Sequence, residues 1–318
     1  MILNIILLVI GFVILIKGAD YFVDGASSIA GNFKVSKMLI GLTIVAFGTS
    51  APELAVSIKS MISHNGDIVL GNVIGSNILN ILLILGASSL VHELYIKNNT
   101  VQKELPITLL ISTLFVVLIS DSIFDKNLTN GFTRGDGIAV LLFFTVFIYY
   151  LISMARNKID DDQEEKYMKM SKAILFTIGG LIAIVLGSNL VVENAKSLAS
   201  TLGVSEKMIA LTVIALGTSL PELVTSLTAT KKGEYDIAIG NVVGSNIFNV
   251  GMVLGIPTAM FGTIPNITIN YIDLSVFLIS AILLFIFALR KRKISTIEGI
   301  IFLFVFIFYY SYVIYTGI

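Results

Sequence analysis

LTIVAFGTSAPEL occupies Leu42–Leu54, and LTVIALGTSLPEL occupies Leu211–Leu223. Each places a proline and a glutamate inside an apolar run. A little further on, DIVLGNVIGSNILN at Asp67–Asn80 returns as DIAIGNVVGSNIFN at Asp236–Asn249. One offset, 169 positions (222 − 53), relates both pairs. Over Leu39–Gly86 against Met208–Gly255 it gives 23 identities in 48 positions without a gap, which chance does not produce. The chain therefore holds an internal duplication, and the rest of it is read around that fact.

Of the 318 residues, 56% are hydrophobic and 13% charged, with mean hydropathy +0.93. A soluble domain carries roughly 25% charged residues, so the composition is that of an integral membrane protein. Lys and Arg together number 21, as do Asp and Glu, and no basic, aromatic-interleaved patch appears, which sets nucleic acid aside. Cysteine is absent, excluding disulfides, thiolate metal sites and cysteine catalysis. Tryptophan is absent too, leaving interfacial anchoring to tyrosines such as Tyr149, Tyr150, Tyr309 and Tyr310. The opening MILNIILLVIGFVILIKGAD has neither a basic n-region nor a small-residue cleavage site, and reads as a retained first span.

A spanning helix takes about 20 apolar residues. Ten candidates meet this, at 2–28, 35–60, 67–90, 104–120, 136–155, 172–200, 205–231, 236–261, 271–290 and 295–316. The solvated stretch RNKIDDDQEEKYMKMSK, Arg156–Lys172, separates five spans from five. The expected organisation is a five-helix repeat at 1–156, a cytoplasmic linker at 157–171 and a second repeat at 172–318. An odd number of spans per half makes the second copy enter from the opposite side, so the fold expected is all-α, with ten transmembrane helices as two inverted repeats. Such repeats are typical of secondary transporters, with the site near the midplane where broken helices meet. Fifteen basic residues fall on the side of the central linker and four on the other, so the linker is expected in the cytoplasm and both termini outside the cell membrane.

A charge at the bilayer centre costs at least about 2.5–3.5 kcal/mol. Glu53 and Glu222 have no basic residue at membrane depth to offset that. A bound cation or protonation of the carboxyl remains. Pro52 and Pro221 cannot donate to the carbonyls of Gly48 and Gly217, so each helix bends or breaks and exposes backbone oxygen. Ser50, Glu53 and Ser57 share one helix face, and Thr49 adjoins them; Thr218, Ser219, Glu222 and Ser226 repeat the set. On the next helix, Ser76 and Asn80 are four apart, as are Ser245 and Asn249. Back-bonding of the hydroxyls and interhelical hydrogen bonding are the alternatives to ligation at these positions. Asn72, Asn77, Asn241 and Asn246 face elsewhere and are expected to hold the broken backbone. The donor set is oxygen throughout, which suits Ca²⁺ and similar hard cations. Two carboxylates match one Ca²⁺ or two Na⁺, and that equivalence underlies exchange.

The paired GTSxPE and GNVxGSN repeats resemble the alpha repeats of the cation/calcium exchanger superfamily, in its prokaryotic sodium/calcium branch. The resemblance implies exchange of Na⁺ for Ca²⁺ by alternating access, with spans 1 and 6 sliding on a rigid eight-helix core. It implies ligation by Glu53, Glu222, Thr49, Ser50, Ser76, Asn80, Thr218, Ser219, Ser245 and Asn249, with the backbone carbonyls of Ala46 and Ala215 binding Na⁺. Potassium-dependent relatives carry Asp where Asn249 stands, which argues against K⁺ dependence. The ions are substrates, with no resident cofactor and no enzymatic activity expected, and the unit expected is a monomer in the lipid bilayer. A Ca²⁺/H⁺ antiporter is the alternative within transport, and a Ca²⁺ channel a more distant one. An intramembrane hydrolase would need a His or Lys base beside Ser50 or Ser219, and none is found at depth.

Overall fold

The structure, a computed structural model, describes residues 1–124, 130–156, 167–204, 213, 215–265, 267 and 270–316. In chain order the principal helices are α1 (Ile2–Phe33), α2 (Lys37–Thr49), α3 (Ala51–Ile62), α4 (Gly66–Val91), α5 (Thr100–Ile119), α6 (Arg134–Arg156), α7 (Met170–Thr201), α8 (Ala215–Thr218), α9 (Leu220–Lys231), α10 (Tyr235–Phe261), α11 (Tyr271–Lys291) and α12 (Thr296–Thr316). Among the described residues eight are long and apolar enough to cross a bilayer; α2 and α3, bent by 44° at their junction, give a ninth if counted as one span. The expected span 205–231 is described as α8 and α9, and its first part lies outside the described residues, as does the acidic run 160–165. The first helix runs past its expected limit of 28, stopping where Lys34 adopts a left-handed cap, φ 53°.

Polar side chains sort the connections to two ends. At one end β1 (Leu94–Tyr95) pairs antiparallel with β2 (Lys293–Ile294). Lys37 bonds Glu234 at 3.0 Å and Lys97 bonds Asp236 at 2.5 Å, so the links after α1, α4, α9 and α11 converge there. At the opposite end Phe132 bridges Ile264, and Gly66 also lies against Ile264.

The apolar interior divides in two. The larger cluster joins α4, α5, α6, α10, α11 and α12 with Met38, Leu39, Leu42 and Ala46 of α2 and Met61 of α3. A smaller one joins Leu15, Ala19, Phe22, Val23 and Ala26 of α1 and Ala173 and Ile184 of α7 to Ile40 and Val45 of α2, Ala229 of α9 and Ile237 and Ala238 of α10. These two helices run antiparallel, with Asn4 donating to Ser197 Oγ at 2.7 Å near one end and Asn32 to the Met168 carbonyl at 2.8 Å near the other. Glycines set their separation. A Cβ on Gly180 would stand 2.5 Å from Phe22 N, and one on Gly187 2.6 Å from Leu15 N. Small residues at such seams let backbones meet in lipid, where no hydrophobic force draws helices together. Gly179, one position over, faces open space.

The α1/α7 pair does not sit evenly on the rest. Helix α1 lies along α9, covering Val224 and Ala229, and is tied there by Lys232 to Asp24 at 2.7 Å and by Ser27 to Glu234 at 2.8 Å. Helix α7 makes no comparable contact with α3. On α3, Ala55, which the 169-residue offset equates with Val224, is exposed, as are Ala51 and Lys59 beside it, whereas Ser60, the equivalent of Ala229, is buried.

If backbone contact sets the α1/α7 seam, Gly187→Val should destabilise the detergent-solubilised protein by about 1–3 kcal/mol, the usual range for overpacking. Gly179→Ala should leave stability within about 1 kcal/mol, because an added methyl there meets nothing. Thermal unfolding of the two variants against the parent checks this, and equal effects would show that close packing is not what the glycines provide.

Candidate cation site

Both breaks fall on serine. Ser50, between α2 and α3, has φ −83°, ψ 2°, and Ser219, between α8 and α9, has φ −88°, ψ 3°. The shared, sparsely populated conformation follows from shared residues. Proline in the first turn of α3 and of α9 loses nothing by lacking an N–H there. The previous turn loses a donor instead. At Gly217 the loss is made good by Ser188 of α7, whose hydroxyl donates to the Gly217 carbonyl at 3.1 Å. Nothing in the sequence around Ser188 marked it for this. Glu53 and Glu222 come next, in the first turns of α3 and α9, where the positive end of a helix favours an anion. Each is 1% exposed.

The two breaks are joined directly, since Ser50 Oγ donates to Glu222 Oε1 at 3.3 Å. Helices α4 and α10 hold them in place. Asn72 donates to the Glu53 carbonyl and to Ser57 Oγ, both at 3.1 Å. Asn241 donates to the Glu222 carbonyl at 3.3 Å and to Ser226 Oγ at 2.9 Å. Ser57 and Ser226, expected on the glutamate face, are thus engaged by asparagines that brace the breaks. Thr49 Oγ1 lies 3.0 Å from the Val45 carbonyl, 3.4 Å from that of Ala46 and 3.0 Å from Asn241 Oδ1, so the anticipated back-bonding is present. The Ala46 carbonyl also accepts the Ser50 N–H at 3.0 Å. Ala215 opens α8 and Thr218 closes it.

Ser76 and Asn80 are buried on α4, and Ser245 and Asn249 on α10. Here the backbone departs from a regular helix: α4 widens to a π-helix over Leu79–Leu85 and α10 over Asn249–Leu254, so Asn80 and Asn249 sit in loosened turns. Such turns concentrate at functional sites. Asn77 and Asn246, by contrast, bond across the helix pair, Asn249 Nδ2 donating to Asn77 Oδ1 at 2.9 Å and Asn80 Nδ2 to Asn246 Oδ1 at 3.0 Å.

An accounting of buried oxygens locates the chemistry. Twelve buried side-chain polar atoms among the described residues have no hydrogen-bond partner in the protein, and seven of them converge here: both oxygens of Glu53, Oε2 of Glu222, Oγ of Ser219 and Ser245, and Oδ1 of Asn80 and Asn249. A native interior leaves few such atoms, and a cluster calls for a ligand. All seven are acceptors or can act as such. The ion pairs among the described residues do not include Glu53 or Glu222. A pocket of oxygens with two carboxylates, and with no ion pair to either among the described residues, suits a hard metal ion as substrate.

Known proteins share this architecture. The profile of the family described as "Sodium/calcium exchanger protein" matches residues 3–153 and 172–315. The putative antiporter CaxA of Alkalimonas amylolytica is 37% identical over 315 residues, 96% of each chain. Sodium/calcium exchanger MaX1 of Methanosarcina acetivorans is 34% identical over 286 residues, 80% of this chain and 82% of its own. A structure of the sodium-calcium exchanger NCX_Mj superposes with a TM-score of 0.84 at 34% identity, covering 96% of this chain and 97% of that one. With near-complete coverage by profile, relatives and fold, and a buried oxygen site at the paired breaks, the chain belongs to the sodium/calcium exchanger family, whose members are ion-exchanging membrane proteins.

Proposed function

We propose that this protein exchanges Na⁺ for Ca²⁺ across the cell membrane by alternating access, through a site formed by Glu53, Glu222, Thr49, Ser50, Ser76, Asn80, Thr218, Ser219, Ser245 and Asn249, with the carbonyls of Ala46 and Ala215. The observation that carries the reading is the pair of buried carboxylates amid unpartnered oxygens, with no ion pair to either among the described residues. Sodium/calcium exchangers among its relatives support the identity of the ions. The proposed frame is ten spans, with α2–α3 and α8–α9 each one broken span, arranged as inverted repeats at 1–156 and 172–318 about a cytoplasmic linker at 157–171. Both termini lie outside, and the monomer is the working unit.

Exchange follows from charge. An empty site carries −2 in a low-dielectric interior, where each uncompensated ion is penalised by several kcal/mol even after relaxation. One Ca²⁺ or two Na⁺ remove that charge. The loaded protein can reorient and the empty one cannot, so ions cross only against a counter-ion. Sliding of α1 and α7 against the larger cluster supplies the reorientation, and the glycine seam that packs the two helices on each other supports their moving as a pair. Contact of α1 with α9, without its counterpart between α7 and α3, corresponds to a state closed towards the cytoplasm and open outward.

In proteoliposomes loaded with Na⁺, the protein should take up radiolabelled Ca²⁺ when diluted into Na⁺-free buffer, at a rate unaffected by collapsing the pH gradient. Glu53→Gln and Glu222→Gln should each reduce uptake to the level of empty vesicles. Uptake driven by a pH gradient without Na⁺ would instead establish Ca²⁺/H⁺ exchange, and passive Ca²⁺ leak without any counter-ion would establish a channel.

The asymmetric contact can be read separately, because the chain has no cysteine of its own. In the Ala55→Cys and Val224→Cys proteins, Lys232→Ala should lower maleimide labelling at 55 and raise it at 224 by about two- to fivefold, the effect of losing one half-exposed ion pair. Identical labelling with and without Lys232 would show that this contact does not bias the two states.

A further inference from the structure

A primary amide has one end that accepts and one that donates, and only the oxygen can bind a cation. Which end an asparagine presents to a site depends on what engages the other. In this protein each amide of the site is held from the opposite half. Asn249 of α10 spends its NH₂ on Asn77 Oδ1 of α4, and Asn80 of α4 spends its NH₂ on Asn246 Oδ1 of α10. The oxygens left over, Oδ1 of Asn249 and of Asn80, are two of the seven without a partner. Asn77 is itself fixed, its NH₂ donating to the Asn246 carbonyl at 3.3 Å, so it has an oxygen and not a donor to offer Asn249. All four side chains are at most 2% exposed, and water has little room to substitute for these bonds.

We propose that Asn77 and Asn246 are positioning residues that lock Asn249 and Asn80 with their oxygens turned inward, and so set the affinity of the site for its cations. The inference rests on the reading of that site as the cation site. Both residues stand in the repeated GSNxxN segments, one turn before the amide that their counterpart in the other half orients. Without Asn77, the amide of Asn249 can rotate by half a turn about its terminal bond. The pocket it faces is rich in acceptors that lack donors, so the NH₂ gains by turning inward. The rotated state removes one oxygen from the cation and puts a donor in its place. Before a cation can bind, that rotation must be reversed.

A carboxylate has no wrong way round. Aspartate at 249 presents an oxygen in either rotamer and makes the orienting bond unnecessary, which yields a test by non-additivity. Four proteins are compared: the parent, Asn77→Ala, Asn249→Asp and the double variant. The half-saturating Ca²⁺ concentration is measured in Na⁺-dependent exchange, and independently from the rise in unfolding temperature with Ca²⁺. Asn77→Ala should raise half-saturation about tenfold in the parent, the scale of one buried hydrogen bond, while leaving the maximal rate within about twofold. On the Asn249→Asp background the same substitution should change it by less than about twofold. The reciprocal set, Asn246→Ala with Asn80→Asp, should behave alike, and Asn77→Ser replaces Asn77→Ala if the latter is not monodisperse.

An Asn77→Ala protein with parental Ca²⁺ affinity would overturn the proposal. So would an equal loss on both backgrounds, since a merely structural asparagine is not rescued by a charge at 249. A parent in which Ca²⁺ neither shifts unfolding nor exchanges would instead defeat the cation-site reading itself.

Discussion

Two carboxylates, Glu53 and Glu222, lie buried in the protein interior, and no ion pair among the described residues reaches either. Any fixed lysine or arginine there would settle the charge permanently and leave the site inert. Leaving the counter-charge mobile makes the protein's electrostatic stability depend on the ion it carries. The rest of the architecture serves that condition. Proline ends the helical ladder in front of each glutamate, the following helix presents its positive end to the acid, and asparagines on α4 and α10 clamp the carbonyl of each glutamate so that the break keeps its shape.

Much of this was legible in the residues. The 169-residue offset predicts one backbone conformation for Ser50 and Ser219, and their dihedral angles agree within 5° in φ and 1° in ψ, although Ser50 Oγ reaches Glu222 while Ser219 Oγ has no partner. Membrane depth, the broken spans and the oxygen-only donor set follow from composition, proline and spacing. What could not be read is set by tertiary contact. The π-helical turns at Asn80 and Asn249 leave no mark in a hydropathy pattern, because one added residue per turn changes no residue type. Ser188 is an ordinary small residue of α7 until its hydroxyl is found on the Gly217 carbonyl. Ser57 and Ser226 have the right spacing for ligands, yet the amides of Asn72 and Asn241 reach them. Spacing establishes which face a side chain shares, and competition among neighbours decides what it bonds.

The repeats are alike in sequence but not in use. Ser188 corresponds, by the same offset, to Ala19, so the hydroxyl that meets the Gly217 carbonyl has no equivalent on α1. Lys232, which ties α9 to Asp24 of α1, corresponds to Ser63, and Glu234 to Asn65. The duplicated part of the chain is thus nearly symmetric where ions would bind and asymmetric where α1 and α7 rest upon it. Such a division has a physical logic. A site that must offer the same coordination to both sides of a membrane gains from symmetry, whereas the balance between the two orientations is set by contacts that need not match.

Helices α4 and α10 bear the burden of holding the site together. Each contributes a serine and an asparagine towards it, and each lends the other half the amide that orients its partner, through Asn77 on one and Asn246 on the other. Crossed pairing of this kind couples the halves through short, directional bonds in a medium that provides no water to replace them. It also separates two tasks within one molecule. The pair that bears the amides is held mainly in the larger apolar cluster, as a rigid frame requires, while α1 and α7 pack on each other through glycine and meet α2, α9 and α10 across a second, smaller cluster, as a movable element requires. An exchanger needs both properties at once, because a site that deformed as the protein reoriented would release its ion before either side had opened.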